Sequence, residues 1–400
     1  MSSLARNVKD TVKLSLEKAF ILHERMVKMK QFREPCRREI YEQVQLTDAQ
    51  KAEIDRLYGE NYGKKITYIW HRHFTAFTGK FDAAYFPEHL YIPEFEFYMN
   101  LNRKYAGVFE DKNVLPMVAD QMGVRMPEVI LRGICGVLLN GSGKRCTEED
   151  AAKLLEQPGE WFTKVSVGTY GGGGCRLLRM QNGRDLETGE DGKAILHRLG
   201  DHFVVQRRLR CAEAISAIYP GSVNTFRVIT YRWREEIRHM PVIMRIGGGG
   251  SYLDNVSAGG MFIAVEDDGT LHKTAFTEFC KSFERHPDTG LIFEGHRIPG
   301  FERVLETAEH MHTAIPQLGC INWDLTIDET GEPVLIEANI LGGSIDMAQM
   351  AHGKGIFGEN TAEVLRWLHQ MNHMSVPEQK NYMFGRMKGQ TEHGTSGTQE

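Results

Sequence analysis

The fold is decided by the stretch Ile321-Asn-Trp-Asp-Leu-Thr-Ile327 and by the stretch Val334-Leu-Ile-Glu-Ala-Asn339 that follows it. Polar and apolar residues alternate along both stretches, and this period of two is typical of strands that bury one face of a sheet. The intervening segment Asp328-Glu-Thr-Gly-Glu-Pro333 has the composition of a turn. The two stretches therefore predict a β-hairpin.

The register of this hairpin follows from keeping its buried face apolar. A slip by one residue would mix polar and apolar side chains on that face, so the alternation strongly specifies the pairing. In the predicted register the apolar pairs are Ile327 with Val334, Leu325 with Ile336, and Trp323 with Ala338. The polar pairs on the opposite face are Asp324 with Glu337 and Asn322 with Asn339.

Asp324 and Glu337 would then form a pair of facing carboxylates. Cβ atoms directly opposite each other lie about 5 Å apart, and like charges in such a pair destabilise a sheet. A bound Mg²⁺ is a natural compensator, because it prefers carboxylate and amide oxygens, and Asn339 supplies an amide. A raised carboxylate pKa or a neighbouring arginine is the alternative.

A glycine-rich loop is the second distinctive feature. Lys164 lies in the strand-like run Trp161–Val167, which is followed by Gly171, Gly172, Gly173 and Gly174. A lysine near a strand end, next to a glycine loop, can place one ammonium and several backbone N–H groups along a polyphosphate. The spacing is neither that of a P-loop nor that of a dinucleotide-binding fingerprint. A tight hairpin without a ligand is the alternative.

A third group of residues lies between these two features in the chain. Arg227 and Arg245 each occur in a strand-like run, and Asp254-Asn255 follows the second run. Surface salt bridges are the ordinary explanation for such arginines. Their position between a phosphate loop and a metal hairpin favours contacts with a bound anion instead.

Composition and charge restrict the class of protein. The chain has 400 residues, 41% of them apolar and 25% charged, with a net charge of −5. These values are typical of a globular protein and exclude a disordered chain or a fibre. The absence of a basic surplus argues against nucleic-acid binding. No apolar run reaches the ~18 residues of a membrane span and no signal peptide is evident, so we expect a cytoplasmic protein without a membrane span.

The chain divides into regions with different predicted secondary structure. Residues 1–105 have a helical pattern, in which Thr47 and Gln50 form a capping box for a helix through Leu57 that glycine then breaks. Thr147 and Asp150 cap another predicted helix. Residues 203–340 alternate β-rich runs with fewer helices, residues 359–371 form a closing helix, and the chain beyond Pro377 is a polar tail.

The order of these features resembles that of the ATP-grasp superfamily, and in detail its sugar-transfer-associated branch. The resemblance covers residues 45–370. It implies an α+β fold in which two subdomains grip ATP, preceded by a mostly helical N-terminal region. The motifs that carry it are Tyr91-Ile-Pro93, Asp111-Lys-Asn113, Ser222-Val-Asn-Thr-Phe-Arg227, His286-Pro-Asp-Thr-Gly290, Ile298-Pro299, Asn322-Trp-Asp324 and Val334-Leu-Ile-Glu-Ala-Asn339.

The resemblance also implies domain boundaries and site residues. The expected regions are residues 1–105, an ATP-grasp subdomain with the glycine loop at 106–205, a catalytic subdomain at 206–375 and a tail at 376–400. The residues expected to contact the phosphates of ATP are Lys112, Lys164 and the glycine loop of Gly171, Gly172, Gly173 and Gly174. Gln206, Arg207 and Leu209 are expected at the adenine, and Glu213 at the ribose. Arg245, Arg227 and Asn255 are the expected catalytic residues, and Asp324, Glu337 and Asn339 the expected magnesium ligands.

Two departures from the family pattern are visible. Val165 follows Lys164 where many relatives have proline, which is a mild change. The helical pattern of residues 1–105 replaces the nucleotide-fold-like domain that helps relatives to bind the acceptor. The identity of the acceptor therefore cannot be read from the resemblance.

The activity that the resemblance implies is that of a carboxylate–amine ligase. It would use ATP and a pair of Mg²⁺ ions, join a small-molecule carboxylate to an amine through an acyl phosphate, and serve surface-sugar assembly or related biosynthesis. The alternatives are an ATP-grasp kinase that phosphorylates a hydroxyl group, and a nucleotide-binding protein without turnover. The resemblance does not decide whether the chain forms a homodimer.

The first testable prediction concerns Lys164. If its ammonium contacts the phosphates, Lys164→Ala should weaken ATP binding by about 1.5–3 kcal/mol, the scale of a hydrogen bond to a charged group. The fold should stay intact. Calorimetric titration with ATP measures the difference, and an unchanged affinity would leave the loop as a hairpin without a ligand.

Overall fold

The N-terminal region is helical, as the sequence predicts. The structure is a computed structural model and describes residues 3–168, 173–256 and 259–387. The helices of this region are α1 (Ser3–Phe32), α2 (Pro35–Glu42), α3 (Asp48–Tyr62), α4 (Ile69–Thr78), α5 (Glu88–Leu90) and α6 (Phe97–Met99). Helices α7 (Ala106–Phe109) and α8 (Leu115–Gln121) follow it and pack in the same hydrophobic cluster as α12.

Helix α3 illustrates how local sequence sets helix ends. Its N-terminus has the predicted capping box, in which the Thr47 side chain accepts from the Gln50 backbone N–H and the Gln50 side chain accepts from that of Thr47. The predicted end at Leu57 is wrong, because the helix continues through Gly59 to Tyr62. An exposed helical glycine costs only about 1 kcal/mol. Burial of Tyr62 offsets that cost, and the chain leaves the helix only at Gly63, whose φ is 78°.

A wide helical turn joins α5 to α6. The residues between them, Tyr91–Glu96, form a π-helix, which makes residues 88–99 one continuous helical segment. Its aromatic side chains are buried in the core. Asn100 ends the segment, accepting from the backbone N–H groups of Gly319 and Cys320 at 2.9 and 3.1 Å and donating to the carbonyl of Cys320 at 2.9 Å. The helical region is thereby fixed to the start of a central strand.

The smaller sheet contains six strands in the order β2-β1-β6-β3-β4-β5, all antiparallel. The strands are β1 (Val129–Ile134), β2 (Val137–Asn140), β3 (Gly159–Val165), β4 (Arg176–Gln181), β5 (Arg184–Asp185) and β6 (Phe203–Arg207). Helices α9 (Glu148–Leu155) and α10 (Gly192–Leu199) pack on this sheet around Trp161 and Phe203. The predicted capping box of Thr147 and Asp150 begins α9.

The larger sheet contains eight antiparallel strands in the order β12-β11-β10-β9-β7-β13-β14, with β8 beside β7. Its strands are β7 (Thr225–Trp233), β8 (Glu236–His239), β9 (Val242–Ile246), β10 (Met261–Val265), β11 (Leu271–Phe276), β12 (Ser282–Phe283), β13 (Cys320–Ile327) and β14 (Pro333–Asn339). The accompanying helices are α11 (Glu213–Ser216), α12 (Phe301–Thr313), α13 (Asp346–His352), α14 (Thr361–His373) and α15 (Val376–Asn381).

The larger sheet is buried on both faces. Alternate residues of β9 show the division, because Ile243 packs with the N-terminal helices and α14, whereas Val242 and Met244 pack with α12. The N-terminal helical region therefore shares a hydrophobic core with the larger sheet. The mixed helix and sheet class is confirmed.

The structure also bears on the expected polar tail and on the expected absence of a membrane span. The segment expected to be a polar tail begins with α15, whose Val376 and Gln379 are buried, and residues 388–400 lie outside the described part of the chain. Among the described residues, no helix has both the length and the apolar character that crossing a bilayer requires.

Candidate active site

One cavity between the two sheets is lined by most of the residues that the sequence singled out. It is lined from the smaller sheet and its flanks by Lys112, Pro127, Phe162, Lys164, Cys175, Leu177, Gln206, Arg207, Arg208 and Leu209, and from the larger sheet and its loops by Gly221, Val223, Thr225, Arg245, Tyr252, Leu253, Asp254, Asn255, Asp324, Ile336, Glu337 and Asn339. Apolar side chains and charged groups both line it, which is the usual composition of a small-molecule site.

The two lysines reach this cavity from separate segments. Lys164 lies in β3, is only 6% exposed, and has its ammonium 5.5 Å from the centre of the Phe162 ring. Lys112 lies in the connection before α8, where its backbone N–H donates to the carbonyl of Ser166 at 3.1 Å. Its ammonium is 3.9 Å from a Glu337 carboxylate oxygen. The structure thus brings the two predicted phosphate-binding lysines to one cavity.

The glycine loop is described only in part. Gly171 and Gly172 lie outside the described residues. Gly173 and Gly174 precede β4, and Gly174 has a φ of 74°. A Cβ atom at Gly174 would lie 2.7 Å from Val165 Cγ2, so this position requires glycine. Contact of the loop with phosphates stays a prediction.

The predicted adenine-binding segment borders the same cavity. Gln206 is buried in β6, while the Arg207 side chain turns outward and donates to the Glu128 carboxylate at 2.7 Å. Leu209 follows the strand, and its backbone N–H has no hydrogen-bond partner among the described residues. A free donor beside an apolar wall that includes Leu177 suits the edge of a purine base.

Glu213, the expected ribose ligand, does not lie with the others. It begins α11 and lines an adjoining surface cleft, which shares Arg208 and Leu209 with the cavity. The role of Glu213 at the ribose stays a prediction.

The hairpin of β13 and β14 confirms the predicted register only at its functional end. Asp324 pairs with Glu337, Trp323 with Ala338 and Asn322 with Asn339, as predicted. Nearer the turn the register shifts, so that the remaining pairs are Leu325 with Leu335, Thr326 with Val334 and Ile327 with Pro333. The predicted pairs Leu325 with Ile336 and Ile327 with Val334 are wrong.

A bulge at Ile336 causes this difference. The extra residue in β14 re-aims the side chains on either side of it, as bulges beside active sites often do. Leu335 is fully buried in the core, and Ile336 instead lines the cavity. Local alternation placed Ile336 on the buried face, and it contains no signal for an inserted residue.

Arginine side chains compensate the paired carboxylates. Across β7, β13 and β14, Arg227, Asp324 and Glu337 occupy one row of facing residues. Arg227 Nε donates to Asp324 Oδ1 at 2.5 Å and its Nη2 to Oδ2 at 3.1 Å, while Arg245 Nη2 lies 2.9 Å from Oδ2. Burial opposes ionisation of Asp324, but these two guanidinium groups outweigh it and lower its pKa to about 2.

The donor set around these carboxylates fits a divalent cation. Glu337 is 30% exposed on its side chain, and the Asn339 amide nitrogen donates to Asp324 Oδ2 at 3.3 Å and to Glu337 Oε1 at 3.4 Å. Rotating this amide by 180° would bring its oxygen to the same place. Oxygen-bearing groups of this kind are the ligands that Mg²⁺ prefers. Any cation at Asp324 would compete with Arg227 and Arg245 for the same oxygens.

Asp254 belongs to the site, although the sequence pattern indicated no role for it beside Asn255. It is buried, and it accepts from the backbone N–H of Thr225 at 3.1 Å and from the Thr225 hydroxyl. The same hydroxyl accepts from Arg245 Nη2 at 2.7 Å. Burial alone would lower the pKa of Arg245, but Asp254, Asp324 and Glu337 together raise it. Arg245 is thus held as a permanent cation in the cavity wall.

Two glutamates hold the chain that follows Asn339. Glu110 accepts from the backbone N–H groups of Ile340 and Leu341 at 2.7 and 3.2 Å. Glu96, in the π-helix, accepts from those of Gly342 and Gly343 at 2.9 and 3.1 Å. Burial raises the pKa of Glu96 to about 7, although these two N–H groups act to lower it. The helical region therefore positions the loop beside the candidate metal ligands.

Comparison with known proteins now identifies the class and the family. The fold has two antiparallel sheets with one cavity between them. A family model described as sugar-transfer-associated ATP-grasp matches residues 93–364 of the 400-residue chain. Since this match spans more than half of the sequence, the chain belongs to the sugar-transfer-associated ATP-grasp family.

Similar solved structures come from distant ATP-grasp proteins. Carboxyaminoimidazole ribonucleotide synthase from Aspergillus clavatus, complexed with ATP, has 13% identity and a TM-score of 0.36 over 59% of this chain and 46% of its own. L-amino acid ligase from Bacillus licheniformis has 11% identity and a TM-score of 0.37 over 70% and 51%. D-alanine–D-alanine ligase from Bacillus anthracis has 13% identity and a TM-score of 0.37 over 69% and 70%.

These structural likenesses are too weak to assign an activity. The chain spans about half the length of the first two proteins, and no curated protein matches its sequence. The family assignment therefore depends on the family model.

The second testable prediction concerns Glu337. Because Asp324 is already neutralised by two arginines and Glu337 is partly exposed, Glu337→Gln should change the free energy of unfolding by less than about 1 kcal/mol. It should abolish turnover and reduce the gain in melting temperature on adding Mg²⁺ with ATP, since a ligand stabilises only the fold that binds it. Thermal unfolding with and without Mg²⁺ and ATP measures this.

Glu332→Gln is the matched control for that experiment. Glu332 lies in the turn of the same hairpin and contacts Arg303 at 2.9 Å on the surface. Its substitution should leave the Mg²⁺ and ATP shift unchanged. A strongly destabilised Glu337→Gln protein that keeps the full shift would contradict the metal assignment.

The third testable prediction concerns the pH dependence of stability. The Glu96 pKa rises from 4.5 to about 7 on folding, so the unfolded chain releases this proton at lower pH than the folded chain. Stability contributed by protonated Glu96 is therefore lost as pH rises from 4.5 to 7. Relative to Glu96→Gln, wild type should lose about 3 kcal/mol over this range, at 1.36 kcal/mol per pKa unit. Urea unfolding of both proteins at several pH values measures this difference. The prediction would be contradicted if the unfolding free energies of wild type and Glu96→Gln changed equally with pH.

Proposed function

We propose that this protein is a carboxylate–amine ligase that uses ATP and Mg²⁺ to form an amide or peptide bond through an acyl phosphate. One observation supports the proposal above all. A single cavity combines two lysines, a free backbone donor, a permanently charged arginine and three oxygen-bearing side chains. We propose substrates among sugar acids or amino acids of surface polysaccharide assembly or related biosynthesis, on the basis of the family assignment.

The nucleotide would lie across the smaller sheet. Its adenine would lie between Phe162 and Ile336, with the Leu209 backbone N–H and the Gln206 side chain at its edge. Its phosphates would extend toward the ammonium groups of Lys112 and Lys164. Such pre-organised cations act where negative charge develops during phosphoryl transfer, and catalysis then depends mostly on positioning and electrostatics.

Asp324, Glu337 and Asn339 would hold the magnesium. Bound there, Mg²⁺ would supply positive charge to the phosphate oxygens. The contribution of the chain itself is to fix these ligands, through strand pairing on one side and through the Glu110 and Glu96 contacts with the following loop on the other.

The acceptor carboxylate would bind beyond the arginines. Arg245, which lines the first cavity, and Arg227 line a small second cavity together with Ile229, Pro241, Ile243, Ser344, Met347 and Ala348. A carboxylate there would meet two guanidinium groups, which bind such anions with matching geometry. We propose that Arg227 and Arg245 orient it and that Asn255 contacts the phosphoryl group.

The reaction would then proceed in two steps. A carboxylate oxygen of the acceptor attacks the γ-phosphorus of ATP, the bond to the bridging oxygen breaks, and ADP leaves. The amine attacks the acyl carbon of the resulting acyl phosphate, inorganic phosphate leaves, and the amine proton passes to solvent. ADP and free phosphate therefore form in equal amounts with the amide.

A substrate screen tests the proposal. Candidate sugar acids and amino acids, each with and without an amine, are assayed for ADP release, and products are identified by mass. A ligase requires both substrates and gives equal ADP and phosphate. A phosphorylated product without free phosphate would indicate a kinase, and tight ATP binding without turnover would indicate a binding protein.

Two variants sharpen the result. Arg245→Met should reduce turnover strongly, because it removes the buried cation beside Asp324. Glu332→Gln, in the surface turn of the β13–β14 hairpin, should leave turnover within about twofold, the usual effect of a surface substitution. Equal loss in both variants would contradict the proposed location of the site.

A further inference from the structure

A cluster of metal-ligand side chains lies apart from the cavity described above. Glu266 follows β10, His272 lies in β11, and His352 is the last residue of α13. One ligand atom from each lies within 4.8 Å of the others. None of the three lines the candidate active site, so the proposed ligase reaction does not explain them.

His352 carries the strongest signal in this cluster. It is only 4% exposed, and its Nε2 lies 2.7 Å from the carbonyl oxygen of Val242. A carbonyl can only accept, so Nε2 carries the proton and Nδ1 presents a lone pair. Nδ1 is buried, has no hydrogen-bond partner among the described residues, and lies 4.0 Å from Glu266 Oε1.

This arrangement leaves two acceptors facing each other. In the neutral ring, Nδ1 carries no proton and cannot donate to the Glu266 carboxylate. An unsatisfied buried acceptor carries a free-energy penalty. A cation between Nδ1 and Glu266 would give the buried Nδ1 lone pair the partner that it lacks. A carbonyl that fixes the other ring nitrogen is also the usual outer partner of a metal-bound histidine.

The other two side chains complete a ligand set. His272 Nε2 lies 2.5 Å from Glu266 Oε1, and the two histidine rings are 5.1 Å apart between centroids. Ligands at about 2.0–2.2 Å from a tetrahedral ion are about 3.3 Å from one another. The distance from Glu266 Oε1 to His272 Nε2, 2.5 Å, is shorter than that spacing, and the distance from Glu266 Oε1 to His352 Nδ1, 4.0 Å, is longer. The side chains of His272 and Glu266 are 26% and 48% exposed, which leaves them room to adjust.

We propose that Glu266, His272 and His352 bind one Zn²⁺ ion. Two imidazoles and one carboxylate suit zinc, whereas Mg²⁺ and Ca²⁺ select oxygen ligands. Because Glu266 is partly exposed, water can fill the fourth position. The ion joins the end of α13 to the β10–β11 hairpin, and α13 begins directly after the loop that Glu96 holds. The site is therefore a clamp on the helix beside the candidate acceptor cavity.

Zinc titration of the full chain tests the proposal. Protein stripped with EDTA is titrated calorimetrically with Zn²⁺ alone, and Co²⁺ is used as a spectroscopic probe of the ligand set. Wild type should bind one equivalent, show the visible bands of tetrahedral Co²⁺ and gain melting temperature with Zn²⁺. His272→Gln should bind at least about tenfold more weakly, on the scale of disturbing a metal ligand shell, and should lose the Co²⁺ bands.

Two controls separate this site from others on the chain. His23→Gln removes an exposed histidine that lies 3.3 Å from Glu24 and that belongs to no cluster of three metal-ligand side chains within the described part of the chain. Glu337→Gln alters the candidate magnesium ligands at a partly exposed position. Both should keep the zinc affinity of wild type. Unchanged zinc binding in His272→Gln, its loss in Glu337→Gln, or no binding by wild type would each overturn the proposal.

Discussion

A buried charge cluster at the centre of the larger sheet is the constraint on which the site depends. Asp324 is completely buried, and the guanidinium groups of Arg227 and Arg245 are the main reason that its ionisation is favourable. Breaking such a cluster by removing one partner leaves an uncompensated charge in the core. The strands β7, β9 and β13 must therefore stay in one register. That register also fixes where Glu337 and Asn339 face the cavity.

The helical N-terminal region belongs to this arrangement. Its helices cover the face of the larger sheet opposite α12, and Asn100 and Glu96 reach through to β13 and to the loop after β14. A raised pKa marks the cost of burying Glu96. A carboxylate retained at such a cost, on a π-helix that shifts the helical phase by one residue, is consistent with a positioning role. The region therefore supports the site as well as the fold.

Helix α13 connects the features of the larger sheet. Its first turn adjoins the candidate acceptor cavity through Met347 and Ala348, and its last residue is His352. A clamp at one end of this helix would restrict the position of the other end. The candidate zinc ligands and the candidate catalytic groups are thus linked by one short rigid element, although they share no residue.

The sequence by itself determined the local features. Alternation gave most strands and placed Asp324 opposite Glu337, and the capping boxes gave the starts of α3 and α9, because these signals lie among neighbours in the chain. Only the tertiary structure decided the bulge at Ile336, the arginine partners of Asp324, the surface position of Glu213, and the contacts of Asp254, Glu96 and His352. Each of these depends on segments that are distant in sequence, such as Arg227 and Asp324, and residue periodicity carries no information about which distant segment will supply the partner.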